Sequence, residues 1–442
     1  MSSFAPALHF VLAFAFSFAT LQAQQVLSLE DCIDYALKNN ISLKQSALTI
    51  DLNKTSYLQS KLQLLPSVNL NSSFNKNQGR YINPLTNEFI EQVSSSINLS
   101  YSTNVTLFNG FKNLNQIKKA ANELLKSKYD LESAKNELIS TVALGYLQIL
   151  FNEELYQIAG KQRDLTKIQE TRIQILLDAG SVARGELLNI QSQIALEEQQ
   201  LIQAENQLNM SKLQLAQLLE IQDYQNLKLV AENIEIPTFQ ITENIEYDYK
   251  LALSLQSTVK SSELAVNTAL YDYKTAKANY LPTLSLTQRA SSLYSDNVQD
   301  MFTFNEQIDN NLQSGLFLNL SIPLFNKWAT RTSVAQSKIQ IENSRLNSQQ
   351  AKNQLRKNME QAYADQIASY KKHQSAQKSV LAYKESFGYI NNRYELGMVN
   401  SYEFNESKNR LIKAESDELQ AKYDLIFKVK LYEFYTSLKF EL

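Results

Sequence analysis

The sequence predicts a mixed α and β chain: a tandem repeat of long α-helices into which four strands of membrane-barrel character are set, two in each copy. Three observations carry this reading. Turn formers are scarce, with 9 Gly and 6 Pro in 442 residues, against about 12% of an average chain, so the elements must be long and tight turns few. The same landmarks recur at one fixed spacing. And the segments that follow Leu65-Pro66 and Leu281-Pro282 switch from helical periodicity to strict alternation of apolar with uncharged polar residues.

The first 23 residues read as a signal peptide. Phe10 to Thr20 is apolar apart from Ser17 and Thr20, the length of a signal core rather than of a membrane span, and Leu21-Gln22-Ala23 offers a small residue for cleavage. The segment before the apolar core carries no Lys or Arg. Cys32 is no lipid-attachment signal, because Glu30 and Asp31 precede it. No later stretch of about 18 apolar residues appears, so no transmembrane helix is expected.

The repeat is read from landmarks that keep register. Leu65-Pro66 returns as Leu281-Pro282 at an offset of 216. Leu107-Phe108-Asn109 returns as Leu324-Phe325-Asn326, and Gly180, Val182 and Glu186 return as Gly397, Val399 and Glu403, both at 217. The expected organisation is a first copy over 24–222, a linker over 223–246 around Pro237, and a second copy over 247–442.

Each copy reads helix, strand, loop, strand, long helix. Residues 28–64 show Ile33, Leu37, Ile41, Leu48 and Leu52 at helical spacing, with Ser28 as N-cap and Asp31 three residues later. Strands are expected over about 66–78 and 92–109, then over about 282–294 and 312–325. In the second of these, Ile97, Leu99, Tyr101, Val105 and Leu107 alternate with Ser, Asn and Thr, and no charge occurs from Gln92 to Phe111. Soluble sandwich strands alternate too, but with charges on the wet face; uncharged alternation over about ten residues is the pattern of a transmembrane barrel. Phe108, Phe111, Phe325 and Trp328 mark the strand ends, as interfacial aromatics would, or as ordinary core residues. From Lys112 to Asp178 there is no proline, enough chain for a helix of about 100 Å. Such a helix must pack beside others in coiled-coil fashion, with Leu187, Ile190, Ile194, Leu201 and Leu208 as one seam.

Chemistry-bearing residues are few. The charge balance, 43 basic against 45 acidic, gives no reason to expect nucleic-acid binding. One Cys and two His exclude an intrachain disulfide and leave almost nothing for a Cys/His metal site. His373, in Lys371-Lys372-His373-Gln374, reads as part of a solvated helix face, and Cys32 as a small apolar packing residue. No nucleophile elbow, phosphate loop or HExxH occurs. Gly180 opens Gly180-Ser181-Val182-Ala183-Arg184-Gly185 between two helices, so it reads as the left-handed residue of a helix–helix turn.

Taken in order, these motifs make the chain resemble the TolC-like outer-membrane efflux proteins. The resemblance rests on Leu29-Glu30-Asp31 through Ala36-Leu37 and Asn39-Asn40, on Leu65-Pro66, on Leu107-Phe108-Asn109, and on the twin turns at Gly180…Glu186 and Gly397…Glu403. It implies a homotrimer in the outer membrane whose four strands per chain close a twelve-stranded barrel. The helices would continue as an α-helical barrel through the periplasm, meeting a periplasmic adaptor and an inner-membrane transporter. No cofactor is implied. Physics points the same way: four strands cannot close a barrel, and an open sheet in lipid leaves unpaired edges.

By the same resemblance the Gly180 and Gly397 turns form the periplasmic tip, with acidic positions at Glu403 and Glu406. Its closing hydrogen bond would join Tyr394 to Glu186, and Val399 stands where the family carries an arginine. A ring of such carboxylates would favour cations; the plain alternative is a solvated helix face. A second reading of the whole chain, a soluble periplasmic coiled-coil adaptor or scaffold, would need a separate glycine-rich β module, which 9 Gly argue against.

Overall fold

In the computed structural model, residues 26–82, 87–230 and 244–440 are described; the expected signal peptide and the centre of the expected linker lie outside them. The chain enters its first helix, α1 (Leu29–Asn39), through a capping box. The Ser28 side chain accepts from the Asp31 N–H at 3.1 Å and the Asp31 carboxylate accepts from the Ser28 N–H. Cys32 is fully buried in this helix, as expected of a small apolar residue, and burial pushes its thiol up to about 12.

The helix expected over 28–64 is in fact two. Asn40 closes α1 with its N–H on the Ala36 carbonyl, takes an extended ψ of 126°, and caps α2 (Ile41–Leu62) by accepting from the Leu43 N–H. The second copy breaks at Gln256, 216 residues later, between α5 (Ile245–Leu255) and α6 (Ser257–Ala278). What the two breaks share is the extended ψ, 126° at Asn40 and 117° at Gln256, each residue keeping its own N–H bonded four residues back; the Asn40 side chain adds a cap that Gln256 lacks.

Four long strands follow the two proline landmarks. They are β2 (Ser67–Ile82), β3 (Phe89–Asn109), β5 (Thr283–Ser295) and β6 (Gln313–Ser321), antiparallel in the order β2-β3-β5-β6. A small parallel pair, β1 (Val26–Leu27) with β4 (Lys228–Leu229), lies apart from them, and a short helix, α7 (Phe304–Asn310), lies in the connection from β5 to β6. The first two strands of the sheet are longer than expected, because their hairpin projects beyond the last rung shared with β5, at Ser96 and Ser295. The fourth strand is shorter: it stops at Ser321, before Ile322-Pro323.

The register aligns the alternation of all four strands. Leu70, Tyr101, Ala290 and Ser314 form one rung, and Val68, Thr103, Gln288 and Leu316 the next. Leu286 with Leu318 and Leu284 with Leu320 extend the same face. The opposite face is polar: Asn69, Ser102, Arg289 and Gly315 share a rung, and Asn104 donates to Thr287 Oγ1 at 2.9 Å. The apolar face is uncovered in the protomer over much of its area, Leu70 being 78% exposed.

Each strand pair hands over to a helix of 67 residues, α3 (Lys112–Asp178) and α8 (Ala329–Glu395), and each returns by a shorter one, α4 (Arg184–Leu218) and α9 (Ser401–Ser437). The handover explains the Leu-Phe-Asn motif. Two consecutive left-handed residues, Gly110 (φ 67°) and Phe111 (φ 66°), turn the chain, and Lys327 (φ 54°) and Trp328 (φ 67°) repeat them 217 residues on. Asn109 then bonds the first helical turn through Asn113, and Asn326 does so through Thr330. Position 110 requires glycine twice over, since a Cβ there would lie 2.7 Å from the Ala278 carbonyl oxygen. Gly110→Ala is therefore expected to cut the yield of heat-resistant oligomer severalfold in a gel assay, while Lys327→Ala, already left-handed with a side chain, leaves it near normal.

The main core sits about halfway down the long helices. Val142, Tyr146, Ile149 and Leu150 of α3 pack with Leu215 and Leu219, with Cys32 and Ala36, and with Ile426 of α9. A smaller cluster repeats it in the second copy around Ala252, Val259, Leu355 and Met359. Among the described residues, no helix is long and apolar enough to cross a membrane.

Candidate functional site: the two ends of the helical hairpins

The far ends of α3 and α8 turn in the same way. The Gly180 N–H bonds the Leu177 carbonyl and the Ser181 N–H reaches Leu176. In the second copy Gly397 bonds Tyr394 and Met398 reaches Arg393. Both glycines are left-handed (φ 71° and 70°), which completes a Schellman stop at each turn. Sixty-seven residues at about 1.5 Å each put these turns roughly 100 Å from the sheet.

The turns bring the two hairpins together. Glu186, in the first turn of α4, accepts a hydrogen bond from the Ser401 hydroxyl at the start of α9. The Arg172 guanidinium donates to the Glu395 carbonyl at 3.4 Å. Tyr394 is half-buried and stacked on Phe404 with ring centroids 4.6 Å apart; the hydrogen bond expected between it and Glu186 is not formed within the protomer, where Ser401 takes that carboxylate. Burial holds its phenol above the ordinary value, the Glu186 charge adds to this, and Arg172 opposes it. Glu403 and Glu406 are both exposed. The Glu403 N–H is capped by the Asn400 side chain at 2.9 Å, and Glu406 accepts from Arg410 at 2.5 Å. Glu403 thus stands where a helix N-terminus favours an anion, and half of the expected acidic pair is matched by a cation of its own helix.

Because the Tyr394 phenol is raised on folding, the folded and unfolded states bind the same proton below about pH 10. Above it the folded state must hold a proton that the unfolded chain releases, so this residue's contribution falls with rising pH. Thermal stability of the folded protein is therefore expected to fall above about pH 10, and to fall less in Tyr394→Phe, in melting curves taken across that range.

Two features of the hairpins were not expected. Inward from the turns, Lys408 of α9 is buried beside Glu197 of α4 at 2.8 Å and donates to Thr166 of α3 at 2.5 Å. Gln162 and Gln193 also donate to Glu197 Oε1, at 3.1 and 2.9 Å, so one ion pair ties three helices. The second concerns His373, which is buried rather than solvated, its Nε2 3.1 Å from Glu418 of α9. The Lys371-Lys372-His373-Gln374 run hid this: both His373 and Lys372 reach α9, but the imidazole is buried against Glu418 while the Lys372–Asp424 pair stays exposed.

At the other end, Phe108, Phe111, Phe325 and Trp328 all sit at the strand-to-helix handovers and all are exposed in the protomer. Phe111 meets Phe108 edge-on at 5.4 Å, and Arg331 lies over the Trp328 ring at 4.0 Å. Among the described residues no cluster of His, Cys, Asp and Glu could hold a metal.

The family model described as "Outer membrane efflux protein" matches residues 32–220 and 249–428, most of the chain in two blocks. The chain belongs to the outer membrane efflux protein family. This outer membrane efflux protein is 20% identical over 411 residues to the outer membrane efflux protein BepC of Brucella suis biovar 1 (strain 1330), covering 92% of this chain and 84% of that one. Its fold matches the CmeC outer membrane channel of Campylobacter jejuni with a TM-score of 0.80 at 17% identity, over 92% of this chain and 85% of that one. It also matches the open state of the MtrE outer membrane channel of Neisseria gonorrhoeae, with a TM-score of 0.74 at 18% identity over 93% and 88%. The efflux protein is thus an exit duct of the outer membrane with its helical part in the periplasm, and the soluble adaptor reading is not favoured. Its family and fold are those of channel proteins rather than enzymes.

Proposed function

We propose that the protein works as a homotrimer whose twelve strands close one barrel, forming the passive exit of a tripartite efflux or type I secretion system. A periplasmic adaptor and an inner-membrane transporter hand substrate to it. The observation that carries this reading is the four-stranded sheet. It has a mainly apolar face that the protomer leaves bare over much of its area, a polar face with Arg289, and two open edges, β2 and β6. In lipid an open edge leaves several backbone groups unsatisfied, each costing several kcal/mol, so the edges must meet other copies. The long helices also expose Leu165, Ile168, Ile175, Leu188, Ile339 and Leu381, seam residues that neighbouring copies would cover.

In this reading the apolar face meets lipid, the aromatics at the handovers lie at its periplasmic border, and the Gly180 and Gly397 turns form the constricted tip. Glu403 and Glu406 line the tip, two carboxylates per chain, while Glu186 with Ser401, and Arg172 with the Glu395 carbonyl, hold the two hairpins together beside Tyr394. No side chain acts as a catalyst. Planar-bilayer recording tests the duct. Purified protein is expected to give discrete, cation-preferring steps, and Glu403→Gln with Glu406→Gln to lower that preference severalfold at normal oligomer yield. Unchanged selectivity in the double variant would remove the carboxylates from the tip's function, and the absence of any conductance at any pH would contradict the duct.

A further inference from the structure

Below the sheet, between the start of α3 and the end of α6, lies a groove of about 570 Å³. Its end nearer the strands is apolar and exposed: Phe111, Leu114, Tyr280 and Leu281. Farther from the strands along the two helices lie three exposed ammonium groups, Lys118, Lys274 and Lys277. Among the described residues none of the three lies within ion-pair distance of a carboxylate. The nearby acids are committed elsewhere, Asp272 at 2.8 Å and Glu123 at 3.7 Å from Lys119. Lys274 and Lys277 instead lie over the Tyr271 and Tyr273 rings, at 4.9 and 5.4 Å.

The groove is continuous with the apolar face of the sheet. Phe111 packs on Phe108, which is in register with Leu284, and Leu284 with Leu320. The lysines lie within about 10 Å of the strand ends along their helices, the depth of a lipid headgroup layer beside a hydrocarbon core about 30 Å thick. The fold does not require them. At the repeat offsets Lys118 and Lys274 are replaced by Ala335 and Leu58, only Lys277 returning as Lys61, and the second handover forms with the same backbone.

We propose that this groove binds the headgroup of an acidic glycerophospholipid from the periplasmic-side leaflet. The three lysines meet the phosphodiester, and the Phe111, Leu114 and Leu281 wall receives the first methylenes of the acyl chains. The proposal rests on the lipid-facing reading of the apolar sheet face. It gives each protomer a charge-selective lipid site.

The test is native mass spectrometry of the purified detergent-solubilised protein, titrated with phosphatidylglycerol or phosphatidylcholine. The wild type is expected to hold one phosphatidylglycerol per protomer with at least tenfold preference over phosphatidylcholine. Each lysine near an anionic lipid contributes about fivefold at low salt. Lys118→Gln/Lys274→Gln/Lys277→Gln is expected to bring the two lipids to parity, and the triple arginine variant to keep the preference. If the triple glutamine variant does not assemble, Lys274→Gln alone, at an exposed side chain, is expected to lose about fivefold. Equal binding of both lipids by the wild type, or an undiminished preference in either glutamine variant, would overturn the proposal. So would millimolar inorganic phosphate displacing the lipid, which would make the groove a free-anion site. A wild-type protein that does not assemble in detergent would count against the barrel reading instead, so the two failures are distinguishable.

Discussion

Leu70→Arg is expected to reduce the assembled outer-membrane protein to a few per cent of normal, while Asn71→Arg, one residue along the same strand, leaves it within about twofold. The two positions differ only in the face they occupy. Leu70 shares its rung with Tyr101, Ala290 and Ser314 and is among the most exposed apolar residues of the sheet. Asn71 shares its rung with Ser100, Ser291 and Gln313. An arginine near the bilayer midplane on a barrel's lipid face costs about 2–4 kcal/mol, which three copies raise to about 6–12 kcal/mol per trimer. The polar face already accommodates a guanidinium, Arg289, two rungs' width from Asn71 along the sheet. Heat-modifiable migration of outer-membrane fractions reads the difference directly. Equal loss in both variants would mean that the two faces see the same medium.

The second large effect is expected at Lys408→Met. It removes the cation from a carboxylate that is almost wholly inaccessible, Glu197 at 1% exposure, leaving only the Gln162 and Gln193 donors on one oxygen. Breaking a buried pair from one side costs about 3–5 kcal/mol, whereas removing both charges is often close to neutral. Lys408→Met should therefore lower the thermal midpoint of the assembly by several degrees and raise hydrogen exchange in the lower turns of α3, α4 and α9. Lys408→Met with Glu197→Gln should recover most of the loss. Additive losses would show that the two charges do not act as a pair. Lys408 lies about 10 Å and Glu197 about 20 Å along their helices from the turns, so the exchange change belongs to the tip and not to the barrel.

This polar layer also shows what the sequence disclosed and what it concealed. Glu197 occupies the seam position between Ile194 and Leu201, and a charge at a seam position is a legible signal of a buried partner. The partner is not legible, because Lys408 lies 211 residues away on a helix whose rotation depends on packing. His373 was masked similarly by its charged neighbours. By contrast, the sheet was readable rung by rung. A period of two places every side chain once the strand is found, and the proline landmarks fix where it starts. Its ends were less readable. The β2–β3 hairpin runs past Ser96, its last residue paired with β5, and the breaks at Asn40 and Gln256 rest on an extended ψ that no periodicity records. The turns at Gly180 and Gly397 were legible because only a left-handed residue completes a Schellman stop. The company of Glu186 was not, since Ser401 reaches it across the two hairpins.

The central claim is that one chain supplies a third of a barrel. The most direct measurement is the copy number of the particle extracted from outer membranes, by native mass spectrometry in detergent. Three chains per particle, stable until heated and insoluble once detergent is removed, are expected. A monodisperse single chain that stays in solution without detergent would contradict it, because the bare apolar face and the open edges of β2 and β6 would then have no lipid and no neighbour to satisfy them.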